Sequence, residues 1–149
     1  MFSARFTENI EGAPLTGKKH ILLAEDAEQT RLTFSIVLKK AGYEVTAVED
    51  GVAALSEIMK KKDGPDKVNL LITDVWMDRL NGLELMDQLT KLELRIPMLA
   101  MTGFGDKDLV LELMRRGCTE YIEKPFEGVE LLKCVAKLFE KAEHDQKQA

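Results

Sequence analysis

The feature that most constrains this chain is an alternation of short, continuous apolar runs with longer segments in which apolar residues recur at helical spacing. Ile21-Leu22-Leu23-Ala24 offers no polar side to water, as in a strand covered on both faces, and it stops at Glu25-Asp26. From Thr30 to Lys40, Leu32, Phe34, Ile36, Val37 and Leu38 lie among polar residues, and Gly42 follows where a helix stops. The pair recurs along the chain. Strands are predicted over Tyr43–Val48, Val68–Thr73, Ile96–Met101 and Tyr121–Glu123, and helices over Val52–Lys62, Leu83–Leu92, Lys107–Arg116 and Val129–Lys141. Strand-then-helix units joined by short connections require parallel strands with right-handed crossovers and helices on both faces. The expected class is therefore a doubly wound α/β fold with a five-stranded parallel sheet and five helices, over residues 19–142. Residues 143–149 form a polar tail expected to fray. Residues 1–18 read as an N-terminal arm. Phe2, Phe6, Ile10 and Leu15 have near-helical spacing, but Gly12, Pro14 and Gly17 interrupt it, leaving a loose leader or rings that dock on the domain or a partner.

Composition narrows the function classes. At 149 residues and 45% hydrophobic, the chain can build one ordinary core. With 26 acidic against 21 basic residues the net charge is -5, which argues against an electrostatic grip on nucleic acid or anionic lipid. Cys118 and Cys134 have no nearby histidine and suggest neither a disulfide framework nor a zinc site, as in a reducing cytoplasm. No apolar run approaches the roughly 18 to 20 residues that span a bilayer, and the first residues lack a signal-peptide core. The expectation is a soluble cytoplasmic protein without membrane or nucleic-acid partners.

In an open parallel sheet, ligands bind beyond the carboxyl ends of the strands, where strand order reverses. The residues at those ends are Glu25 and Asp26, Asp74, Thr102 and Lys124. With the flavodoxin-like order 2-1-3-4-5, the carboxylates fall at the switch point itself. Three crowded carboxylates repel unless a cation answers them. All-oxygen donors without histidine or cysteine suit a hard divalent ion, Mg²⁺ rather than Ca²⁺, and no Asp-x-Asp-x-Asp-Gly loop is present. A metal with an ammonium and a hydroxyl opposite is a layout for a phosphoryl group, with Asp74 as an acceptor that would form an acyl phosphate.

From about His20 to Lys141 the chain resembles a response-regulator receiver domain, similar to stand-alone chemotaxis-type regulators. The motifs are Leu22-Leu23-Ala24-Glu25-Asp26 with Arg31 a turn later, Leu71-Ile72-Thr73-Asp74-Val75-Trp76-Met77 running on to Gly82, Met101-Thr102-Gly103, and Glu123-Lys124-Pro125-Phe126. The resemblance implies a phosphoacceptor at Asp74, and Mg²⁺ held by Glu25, Asp26, Asp74 and the backbone carbonyl of Trp76. It implies phosphoryl stabilisation by Thr102 and Lys124, and a switch made of Thr102 and Tyr121. It implies transfer from a histidine kinase or phosphotransfer protein, followed by autodephosphorylation, so that the chain is not a conventional enzyme. The output would be protein binding through the face of helix four, strand five and helix five, with a homodimer as one form. It also implies a cis bond before Pro125. No output domain fits in the remaining residues, so the effect is expected to pass through partners.

The bland readings stand beside these. Asp74 after a strand can simply cap or satisfy a loop, Glu25-Asp26 can be a solvated pair at a helix N-terminus, Tyr121 can be an ordinary half-buried tyrosine, and Arg31 is expected to be solvated. Helix four has more apolar positions (Leu109, Val110, Leu111, Leu113, Met114) than one core-facing stripe needs, so either some are exposed or the buried face is broad. The chain departs from the family where Asp78 replaces the usual proline, which should loosen the turn. Trp76 and Phe104 are bulky at the two positions flanking the phosphoryl group, where they are expected to crowd an attacking water and slow hydrolysis. Two alternatives remain: a pseudo-receiver that binds partners without phosphorylation, and a haloacid-dehalogenase-type phosphatase. The latter expects a second aspartate two residues after the nucleophile, where this chain has Trp76.

Overall fold

A computed structural model describes residues 18–103 and 107–148. The continuous apolar runs form the inner strands: β1 (His20–Ala24), β3 (Leu70–Asp74) and β4 (Met98–Thr102), flanked by β2 (Glu44–Val48) and β5 (Glu120–Glu123). All pairs are parallel and the order is β2-β1-β3-β4-β5, as expected. The helices are α1 (Glu28–Lys40), α2 (Gly51–Lys61), α3 (Gly82–Lys91), α4 (Lys107–Arg115) and α5 (Gly128–Gln148).

Side chains alternate across the sheet with the period of two that a pleated strand imposes. Leu22, Ala24, Leu71 and Ala100 face α2, α3 and α4, where Ala54, Ile58, Leu85, Met86, Leu89 and Leu113 are buried against them. Ile21, Leu23, Leu70, Ile72, Leu99 and Met101 face α1 and α5, where Leu38, Leu131, Val135 and Leu138 complete the second core. Covering both faces explains why β1 and β4 are buried throughout, whereas the edge strand β2 mixes exposed Glu44 and Ala47 with half-buried residues. His20 closes the foot of β1: its ring nitrogens lie 2.7 Å from the Asp66 carbonyl and 2.8 Å from Thr46 Oγ1, so a buried polar side chain is satisfied.

Boundaries move where local chemistry decides them. β4 starts at Met98 rather than Ile96, because Pro97 has no N–H for a ladder. α2 and α3 begin one residue earlier than expected: Asp50 caps α2 through the Ala53 N–H at 2.8 Å, and Asn81 and Glu84 form a reciprocal capping box on α3. α5 runs through Gln148, beyond the expected helix end at Lys141, and the residues just past that end, Ala142 and Glu143, are strong helix formers. The arm, including Phe2 and Phe6, lies outside the described residues.

Cys118 sits 5% exposed in the first core and donates to the Glu120 carbonyl at 3.0 Å. Burial pushes its thiol up to about 11. The unfolded chain releases this proton near the ordinary value, while the folded chain must keep it to higher pH. Its share of stability is therefore complete below about pH 9 and declines by about 2 to 3 kcal/mol in all as pH rises through about 11. Urea unfolding of wild type and Cys118→Ala across this range checks it: the wild type should show the steeper alkaline loss, and parallel curves would contradict it.

Candidate functional site

Because the strands are parallel, their carboxyl ends share one edge, and the register sets the site. Asp74 ends β3 beside Met101, Thr102 ends β4 beside Glu123, and the Lys124 N–H continues the ladder to the Thr102 carbonyl at 2.7 Å. Glu25 follows β1 directly, its N–H donating to the Val48 carbonyl at 3.0 Å. The four strand ends thus bring together residues as far as 99 positions apart.

Lys124 Nζ donates to Glu25 Oε1 at 2.8 Å and to Asp74 Oδ2 at 3.1 Å. Glu25 is 1% exposed, and its second oxygen accepts the Ala27 N–H at 3.0 Å. Asp26 is exposed and Asp74 half-buried, yet one carboxylate oxygen from each of Glu25, Asp26 and Asp74 lies within 4.8 Å of the others. Burial works against the Lys124 charge, but its hydrogen bonds and attraction to Glu25 and Asp74 outweigh this and hold its ammonium above the ordinary lysine range. Three carboxylates nevertheless converge on one ammonium, an excess of negative charge that a cation would balance. Oxygen-only donors with room for water suit a hard ion such as Mg²⁺. Thr102 is 1% exposed, and its Oγ1 is buried without a hydrogen-bond partner among the described residues. A buried hydroxyl in that state costs on the order of 1 to 3 kcal/mol and is the kind of group an arriving oxygen-rich ligand satisfies.

The segment after Asp74 turns sharply into α3. The Val75 N–H donates to the Met101 carbonyl at 3.2 Å, and the Gly82 N–H to the Val75 carbonyl at 2.8 Å. Gly82 is required by this approach, since a Cβ there would lie 2.5 Å from the Asp74 carbonyl oxygen. Arg79 and Leu80 adopt positive φ angles of 51° and 75°, a strained region for side-chain-bearing residues. They are latched onto the start of α2. The Val52 N–H donates to the Arg79 carbonyl at 3.3 Å, the Arg79 side chain reaches Asp50 at 3.6 Å, and the Leu80 carbonyl lies over Gly51. The turn that Asp78 was expected to loosen is thus tied at its far end. Trp76, two residues past Asp74, is 59% exposed.

Tyr121 is half-buried against the α2–α4 side of the sheet. On α4, Leu113 is buried while Leu111 and Met114 are exposed, so some of its apolar residues do face outward. The Lys124–Pro125 bond is cis, as the resemblance implied. Phe104 lies outside the described residues. Arg31 departs from expectation: rather than being simply solvated, its Nη1 donates to the Glu25 carbonyl at 2.8 Å. Its position one turn after Glu25-Asp26 was the only signal in the sequence. Nothing in the sequence announced the Asp50–Arg79 latch.

Comparison with known proteins agrees with this geometry. The response regulator receiver domain family matches residues 21–136. The transcriptional regulatory protein FixJ of Bradyrhizobium diazoefficiens is 32% identical over 87% of this chain and 60% of its own length. Like FixJ of Rhizobium meliloti and DctD of Pseudomonas aeruginosa, it is matched over less than two thirds of its length. Among solved structures, NtrX from Brucella abortus has a TM-score of 0.78 at 26% identity, covering 87% of this chain and 28% of that one. The chemotaxis protein CheY4 of Vibrio cholerae has a TM-score of 0.74 at 27% identity, covering 82% of this chain and 99% of that one. Motif order, sheet topology and family match coincide, and the chain belongs to the response regulator receiver domain family of two-component signal transduction.

Proposed function

We propose that the chain accepts a phosphoryl group on Asp74 from a histidine kinase or phosphotransfer protein and passes the signal on by binding proteins. The observation that carries the reading is Lys124 Nζ shared between Asp74 and Glu25, with Asp26 completing a triad of carboxylate oxygens within 4.8 Å. An Asp74 oxygen attacks phosphorus, the bond to the donor breaks, and the donor leaves with that electron pair. Glu25, Asp26, Asp74 and the Trp76 carbonyl would hold Mg²⁺, which supplies charge neutralisation of the phosphoryl oxygens. Lys124 stabilises the same oxygens, and Thr102 donates its hydroxyl, which has no other partner among the described residues.

Thr102 moving toward the phosphoryl group would draw the end of β4 with it and leave room for Tyr121 to turn inward. The α4–β5–α5 face, where Leu111 and Met114 are already exposed, would change shape, and a partner preferring that shape would shift the population toward it. A second copy of the chain is one such partner. Of the two ways receivers occur among the relatives, CheY4 supports the chemotaxis-type, stand-alone reading, whereas FixJ and NtrX are longer than the matched part. The pseudo-receiver alternative predicts partner binding that is indifferent to Asp74.

Incubation with acetyl phosphate tests the reading by intact mass. A single base-labile phosphoryl adduct is expected with Mg²⁺, and none without it or in Asp74→Asn. A metal-independent adduct, or one retained by the variant, would contradict it. Trp76 and Phe104 are proposed to slow hydrolysis by crowding the attacking water. Dephosphorylation should therefore accelerate several-fold in Trp76→Asn, about 1 kcal/mol in barrier, and in Phe104→Glu. Unchanged or slower loss in both would refute this role.

A further inference from the structure

Arg31 lies on the first turns of α1, half-buried. It pairs with no carboxylate among the described residues. Instead Nη1 reaches back to the main chain, donating to the Glu25 carbonyl at 2.8 Å, with the Asp26 carbonyl at 3.5 Å. These are the carbonyls of the two consecutive acidic residues whose side chains enter the carboxylate triad.

We propose that Arg31 is a positioning residue for the cation site, holding the β1–α1 connection so that the Glu25 and Asp26 carboxylates point at one place. The inference rests on the reading of Glu25, Asp26 and Asp74 as metal ligands. Glu25 is already fixed at three other points: its N–H to Val48, Oε2 to the Ala27 N–H, and Oε1 to Lys124. The Asp26 side chain is exposed and has no such fixings among the described residues, and the Ala27 N-cap supplies no side-chain cap to stiffen the turn. Arg31 bridges the two ends of that turn. Both contacts are made by Nη1, which the planar guanidinium holds in place with less loss of freedom per hydrogen bond than a lysine ammonium on its flexible stem. Supporting groups of this kind, one step removed from the metal, are worth about 10- to 100-fold in metal affinity.

Charge and positioning predict opposite signs, which makes the proposal testable. As a bare positive charge near the site, Arg31 opposes a cation, and its removal should tighten binding. As a brace, its removal should loosen binding. The probe is Mn²⁺, a hard ion with the same preference for oxygen ligands. Free Mn²⁺ is followed by its electron paramagnetic resonance signal in the full chain, with Mg²⁺ as competitor and thermal unfolding in chelator as a check on the fold. Arg31→Ala is expected to bind about 10-fold more weakly, with Arg31→Lys recovering only part of the loss. Equal or tighter binding by a folded Arg31→Ala overturns the positioning role while leaving the metal site standing, and so does an Arg31→Lys variant that binds no better than Arg31→Ala. Failure of the wild type to bind Mn²⁺ overturns the metal reading and this inference with it.

Discussion

Lys124→Ala is expected to yield a receiver domain whose stability depends on divalent cation and whose phosphoryl uptake falls by about 10²-fold or more. The stability effect comes from Glu25. This carboxylate is 1% exposed, and with Lys124 gone it keeps, among the described residues, the Ala27 N–H alone against its charge, beside Asp74 and Asp26. Removing one partner of a buried ion pair costs about 3 to 5 kcal/mol. The Lys124 side chain is 29% exposed and water can reach its place, so about 1 to 3 kcal/mol is the appropriate expectation here. Mg²⁺ should restore part of this loss, because it answers the same excess of negative charge, and binding to the folded state alone stabilises by mass action. Urea unfolding in chelator and in Mg²⁺ checks this: the variant should gain more from Mg²⁺ than the wild type does. Lys124→Arg should hold most of the stability, since it retains the charge. If Lys124→Ala is as stable as wild type in chelator, the ammonium is not what balances the triad.

The second large effect is expected at Gly51, the first residue of α2. A Cβ built there lies 2.0 Å from the Leu80 carbonyl oxygen and 2.8 Å from its carbon, both backbone atoms that no rotamer change can move aside. Leu80 already holds a φ of 75°, so the turn has little freedom left to retreat. Gly51→Ala should cost about 2 to 3 kcal/mol by overpacking, against which the helix-propensity gain of up to about 1 kcal/mol is too small. It should also slow phosphoryl uptake, because the displaced turn begins at Asp74. Gly64→Ala is the control: its Cβ meets nothing closer than 3.9 Å, and its effect should stay within about 0.5 kcal/mol. Equal stability of the two variants would show that the latch between α2 and the Asp74 turn carries no energy.

These two predictions also mark how far the sequence could be read. Ile21-Leu22-Leu23-Ala24 and Leu71-Ile72 are legible because burial on both faces leaves no place for a polar residue, and the strand ends follow from where such runs stop. Glu25, Asp26, Asp74, Thr102 and Lys124 were legible as a group for the same reason: a parallel sheet gathers all its carboxyl ends on one edge. What the sequence did not show are interactions set by backbone atoms. The Arg31 contact is to a carbonyl, which every residue possesses, and the Leu80–Gly51 approach depends on positive φ angles at Arg79 and Leu80, where neither side chain signals such a conformation. The reach of α5 past Lys141 had no apolar periodicity to announce it, only the intrinsic helix propensity of residues such as Ala142 and Glu143.

If the converging carboxylates and ammonium serve phosphoryl transfer to one residue, the acyl phosphate can be trapped there. After incubation with acetyl phosphate and Mg²⁺, reduction with borohydride converts a phosphorylated aspartate to homoserine, and peptide mass spectrometry reports its position. The expected result is homoserine at position 74 alone, absent when Mg²⁺ is withheld. Homoserine at another aspartate, or an unmodified Asp74 in a folded protein that binds Mg²⁺, would contradict it.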